Sequence, residues 1–100
     1  MVTEGSYMGR LSGKLSGTFT GTATFSGTNG RGTITALGVG YLDSGEALPG
    51  KGQGVYWSDG NGKWETRAAF MLPDAMLVGE GQIALADGEF TWNAKISELT

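Results

Sequence analysis

From Gly9 to Ser26 apolar and polar positions alternate with a period of two. The odd positions carry Gly9, Leu11, Gly13, Leu15, Gly17, Phe19, Gly21, Ala23 and Phe25; the even ones carry Arg10, Ser12, Lys14, Ser16, Thr18, Thr20, Thr22, Thr24 and Ser26. One face is thus apolar or absent and the other hydroxyl-rich, which is the signature of a half-buried strand. The run exceeds the usual strand length of about 5–6 residues, so it is expected to break at a glycine and serve two neighbours. No segment shows helical periodicity.

Turn signals place the remaining strands. Thr28-Asn29-Gly30-Arg31 suits a type I′ hairpin and sets Phe25 opposite Ile34, Gly21 opposite Gly38 and Phe19 opposite Gly40, so that large side chains meet small ones. Asp59-Gly60-Asn61-Gly62 closes a second hairpin; a two- or four-residue loop sets Trp57 against Trp64, Val55 against Thr66 and Tyr56 against Glu65. Ala86-Asp87-Gly88-Glu89 closes a third, with Ile83 against Trp92, Gly79 against Ile96 and Glu80 against Lys95. Leu72-Pro73-Asp74-Ala75 joins the last two hairpins and sets Phe70 against Leu77 and Trp64 against Ile83. The longest connection, Leu42 to Pro49, reads as a loop.

These registers predict one all-β domain over residues 1–100, a small antiparallel meander of about seven strands over 7–18, 19–28, 31–41, 51–58, 63–72, 75–86 and 89–98. The expected core face holds Leu11, Leu15, Phe19, Phe25, Ile34, Val55, Trp57, Trp64, Phe70, Leu77, Ile83, Leu85, Phe90, Trp92 and Ile96. Nineteen glycines in 100 residues, against an ordinary usage of about 7%, relieve crowding on that face, as a tightly curved sheet requires. The expected architecture is therefore a closed or nearly closed barrel, its alternative an open, strongly twisted sheet that dimerises.

Composition narrows the chemistry. No cysteine and no histidine means no disulfide, no thiolate nucleophile, no imidazole base and no common zinc or haem ligand, so neither metal nor cofactor is expected. Seven Lys+Arg against ten Asp+Glu, a net charge of -3 without a basic block, argues against nucleic acid as partner. Met1-Val2-Thr3-Glu4-Gly5-Ser6 has neither a basic start nor an apolar run, and nothing approaches the roughly 20 apolar residues of a membrane-spanning helix. The expectation is a soluble, cytoplasmic protein without membrane association.

In the expected registers the second face carries Tyr56 beside Glu65, a row of Glu65, Gln82 and Asn93, and a row of Arg67, Glu80 and Lys95, with Gly52 and Gly54 leaving space near Arg67. These rows read as a solvated charge ladder, or as an acid–base or anion-orienting group of Tyr56, Glu65 and Arg67. Leu37, Val39, Tyr41, Met71, Met76 and Val78 also fall on this face and suggest a homo-oligomer surface. Gly50-Lys51-Gly52-Gln53-Gly54 lacks the Lys-Ser/Thr and the helix of a phosphate loop; it is a strand with three glycines on one face. Together with the Asp59-Gly60 turn and Thr91-Trp92, it resembles a group of small uncharacterised prokaryotic proteins with a calycin-like or allene-oxide-cyclase-like barrel. That resemblance implies a small barrel and assigns no catalytic residue.

The functional expectation is binding of a small apolar or aromatic ligand at the barrel mouth, by Gln53, Tyr56, Trp57, Trp64, Glu65, Arg67 and Trp92. The alternatives are a structural, oligomeric interaction protein with a solid core, and a cofactor-independent isomerase or cyclase assisted by Tyr56, Glu65 or Arg67.

Overall fold

The computed structural model describes residues 2–13, 15–28, 30–86 and 89–99. Lys14 on the polar row, Asn29 of the first hairpin turn and Asp87-Gly88 of the third therefore lie outside the described residues. Seven strands follow one another: β1 (Val2–Leu11), β2 (Gly17–Thr28), β3 (Arg31–Leu42), β4 (Ala47–Ser58), β5 (Lys63–Met71), β6 (Met76–Ala86) and β7 (Glu89–Leu99). They form one antiparallel sheet in sequence order, so the meander expected from the turns is the fold.

The closed barrel is corrected. The sheet curls through 232° and stops, leaving β1 and β7 as unpaired edges. Among the described residues no helix is long and apolar enough to cross a membrane. The long alternating run is divided between β1, which ends at Leu11 and begins at Val2 rather than at residue 7, and β2, which begins at Gly17. The connection after β3 is tighter than expected: the Leu42 N–H donates to the Glu46 carbonyl at 2.9 Å, and the segment from Ala47 already belongs to β4.

The β2–β3, β5–β6 and β6–β7 registers are those the turns predict, with Phe25 opposite Ile34, Phe70 opposite Leu77 and Ile83 opposite Trp92. The β4–β5 register differs by one residue. Tyr56 faces Thr66, Val55 faces Arg67 and Trp57 faces Glu65. The cause is the loop, in which Gly60 and Gly62 both take positive φ, 87° and 73°. The Asp59 N–H donates to the Lys63 carbonyl at 3.1 Å, which encloses the odd number of residues that an even-length loop cannot. Ser58 Oγ and Asp59 Oδ1 accept the Gly60 and Asn61 N–H groups at 3.1 and 2.9 Å and hold the loop in that shape. Because side chains alternate, a shift of one exchanges the faces of β4. Val55 and Trp57 leave the core for the outer surface, while Gly50, Gly52, Gly54 and Tyr56 join the core rows.

The core is built from large side chains seated over glycines. A Cβ at Gly9 would meet the Phe19 ring at 2.7 Å, and Cβ atoms at Gly52 and Gly79 would meet the Phe70 ring from either side at 2.7 and 3.1 Å. Phe25 packs edge-on against Tyr56 with ring centroids 5.5 Å apart, and Phe70 against Trp92 at 6.1 Å, both across an intervening strand. Contacts that skip a strand are the mark of a sheet bent over its own side chains. The open side leaves this core shallow: Tyr56 and Ala68 are its buried apolar residues, no large side chain is fully enclosed among the described residues, and Leu85, Phe90 and Ile96, expected in the core, keep its face but stay exposed at the open β7 edge.

Candidate functional site

The register divides the residues expected to bind a ligand. Tyr56, Trp64 and Trp92 project from the core face; Gln53, Trp57, Glu65 and Arg67 project from the outer face. Tyr56 therefore does not stand beside Glu65, and Gly54 leaves space next to Ala68 rather than Arg67. The acid–base group of Tyr56, Glu65 and Arg67 does not converge on one point, because the sheet lies between its members.

On the core face the expected ligand-binding aromatics are occupied with one another. The Trp92 indole N–H donates to Thr66 Oγ1 at 2.9 Å, and Thr66 Oγ1 donates to the Gly81 carbonyl at 3.1 Å, so the buried hydroxyl serves both groups. Trp64 lies against Phe90 at 5.7 Å. Tyr7 covers Gly21 and Gly38 with its hydroxyl end and packs against Phe19 at 5.8 Å, and burial raises its phenol above the ordinary value of 10.0.

On the outer face the ladder forms as expected. Gln82 Nε2 donates to Glu65 Oε1 at 2.8 Å, and the Arg67 guanidinium lies 3.3 Å from the Glu80 carboxylate. Both Arg67 and Glu80 side chains are more than half exposed (63% and 60%), so water screens the pair and its contribution is small. Among the described residues no three acidic side chains gather in the way a metal ion requires.

A shallow depression lies elsewhere on this outer face. Pairing across four ladders aligns Thr22, Leu37, Lys51, Met71 and Met76 in one cross-strand row, and Thr24, Thr35, Gln53 and Ala69 in the next. A shallow groove of about 490 Å³ runs along these two rows, with Gly52 on the opposite face thinning its floor. Leu37, Met71 and Met76 give it exposed apolar sides, the threonines and Gln53 give it hydroxyl and amide groups, and Lys51 places an ammonium in the middle of the apolar row. Gln53 is the expected ligand-binding residue that reaches it. The displaced register hid Lys51 as a ligand-facing candidate, because it set Lys51 on the face opposite Leu37 and Met71, whereas the threonines of β2 and β3 stand on the face the turns predict.

Fold and surface together define an open antiparallel half-barrel with a shallow aromatic interior and an amphipathic groove on its outside. Comparison with known protein families, curated proteins and solved structures finds no match for the chain.

Proposed function

We propose that this protein is a binding module whose outer groove takes a small amphipathic anion, an apolar body ending in a carboxylate. The observation that carries the reading is Lys51 set between Leu37 and Met71 along a groove of ligand size. The apolar body would lie against Leu37, Met71 and Met76, and the carboxylate would take the Lys51 ammonium and the Gln53 amide. The aromatic mouth is a weaker host, since Trp92, Trp64 and Tyr56 are already packed on Thr66, Phe90 and Phe25.

The test is titration with decanoate below its micelle concentration, observed through the methionine methyl resonances in NMR. Met71 and Met76 should shift, Met8 on the far edge should not, and decanol of equal chain length should bind more weakly. Lys51→Gln should weaken decanoate binding about five- to tenfold, the range of one partly exposed charge contact. No shift at Met71 and Met76, or equal shifts at Met8, overturns the reading.

A second reading, self-assembly through Leu37, Val39, Tyr41, Met71, Met76 and Val78, is favoured by the exposure of Leu37, Tyr41 and Met71. A face-to-face contact about a twofold axis near this row would bring two Lys51 ammoniums together, a repulsion that an anionic ligand would not meet. Under this reading Lys51→Gln would strengthen association in light scattering rather than leave it unchanged.

A further inference from the structure

The edge strand β1 is long, continuously paired and without an inward-pointing charge. It runs ten residues, pairs with β2 without a bulge from Val2 to Leu11, and has no proline and no charge on its core-facing row, which carries Thr3, Gly5, Tyr7, Gly9 and Leu11. Its outer row is Val2, Glu4, Ser6, Met8 and Arg10, with Met8 83% exposed. Proteins ordinarily protect such an edge with a bulge, a proline or an inward-pointing charge. The opposite edge has one of these, since β7 carries Glu98 on the core-facing row opposite Leu77.

The charges of β1 are arranged about its centre. Glu4 and Arg10 stand equally far from Tyr7 on either side and on the same face. We infer that β1 pairs antiparallel with β1 of a second copy about a twofold axis at Tyr7, joining the two half-barrels edge to edge. In that register Glu4 of each copy faces Arg10 of the other, so the contact gains two opposite-charge pairs. Met8 meets Ser6, and Gly5 meets Gly9 on the core side. Shifting the axis to Ser6 places Glu4 opposite Met8, and shifting it to Met8 places Arg10 opposite Ser6, leaving both charges unmatched. Intermediate shifts put core-facing residues on the outer surface and are excluded by alternation. A single twofold contact closes after two copies, so it consumes the edge without leading to fibres. This surface is separate from the groove, and either assignment can fail alone.

The experiment is sedimentation velocity on the full chain and on Glu4→Arg, Arg10→Glu and the double swap. The wild-type chain should be dimeric. Each single variant sets like charges opposite each other at two places and should raise the dimer dissociation constant at least about tenfold, and the double swap should restore it. Hydrogen exchange of the β1 amides gives a second readout on the unaltered chain: protection should rise with protein concentration from micromolar to millimolar. A wild-type monomer throughout that range, single variants that dimerise normally, or a double swap that does not recover overturns the inference. Lys51→Gln should leave this equilibrium unchanged, whatever its effect on decanoate.

Discussion

The face assignment of β4 can be decided by two substitutions at adjacent positions. Tyr56 is 9% exposed and packs on Phe25, whereas Val55 is 46% exposed and faces Arg67. Replacing a core aromatic by alanine costs about 3–5 kcal/mol, and the open side of this core, which lets neighbours relax inward, places Tyr56→Ala near 3, roughly the lower limit of that range. With a urea slope of about 1–3 kcal/mol/M for a small domain, the unfolding midpoint should fall by about 1–3 M. Val55→Glu should stay within about 1 kcal/mol, because the new carboxylate is solvated and lies opposite the Arg67 guanidinium, which offsets the loss of strand propensity. In the even-loop register the same substitution would bury a carboxylate opposite Thr66 in the core, at a cost of several kcal/mol. Urea unfolding followed by circular dichroism reads both variants. A severe Val55→Glu together with a mild Tyr56→Ala would refute the odd loop and restore Val55 to the interior. A double-mutant cycle with Phe25→Leu adds a check, since the edge-on ring pair should couple by about 0.5–1.5 kcal/mol.

Two further outcomes follow from the glycine-notched interior. At Gly81 a Cβ would lie 2.5 Å from the Ala94 Cβ, with the Asn93 carbonyl in its way, so Gly81→Ala should lower the thermal midpoint clearly, whereas Gly5, with nothing within 4 Å, should accept alanine with a small gain if any. For Tyr7, burial holds the folded phenol above its unfolded value of 10.0. Below that pH both states are protonated and stability is flat; above it the unfolded chain ionises first, so stability falls as pH rises through the folded value. The thermal midpoint of the wild type should therefore track that of Tyr7→Phe at constant separation up to about pH 10 and fall relative to it above, and a separation that stays constant would refute the assignment.

The turns of this chain differ in how fully they specify register. At β2–β3 the requirement that large residues face small ones agreed with the turn, and Phe19 opposite Gly40 is the observed pair. At β4–β5 an even loop length taken alone sets two tryptophans, Trp57 and Trp64, against each other. The large-against-small rule carried one step further would have paired Gly52 with Phe70 and Gly54 with Ala68, as the structure does. The odd loop was legible in principle, since Gly60 and Gly62 each invite a left-handed backbone and their spacing suits a three-residue loop better than a two-residue one. The incomplete closure was not legible in this way. Alternation and glycine content describe how tightly a sheet can curl, not whether its last strand reaches its first. The outer-face rows of β5, β6 and β7 were correctly placed, so the Glu65–Gln82 and Arg67–Glu80 contacts could be anticipated, but a row extending through β4 required its register.

The incomplete curl bears on where binding can occur. In a closed barrel of this size the interior would be either full or a cavity, and in both cases the outer face would be mere surface. Here the middle of the inward row is satisfied by its own members, Phe70 resting over Gly52 and Gly79 while Trp92, Thr66 and Gly81 complete one another's hydrogen bonds; Leu85, Phe90 and Ile96 toward the β7 edge stay exposed. A ligand entering there would have to displace contacts already made, whereas one lying along Leu37, Lys51 and Met71 would displace water from exposed apolar surface and bring a counter-charge to an ammonium. The same reasoning separates the two edges. A strand added to β7 would lie beside the Glu98 carboxylate on the core-facing row, while adding β1 to its own copy matches each charge of the outer row with its opposite. On the proposed readings, openness leaves the interior shallow and moves recognition to the outer rows and to the edge that can pair with itself.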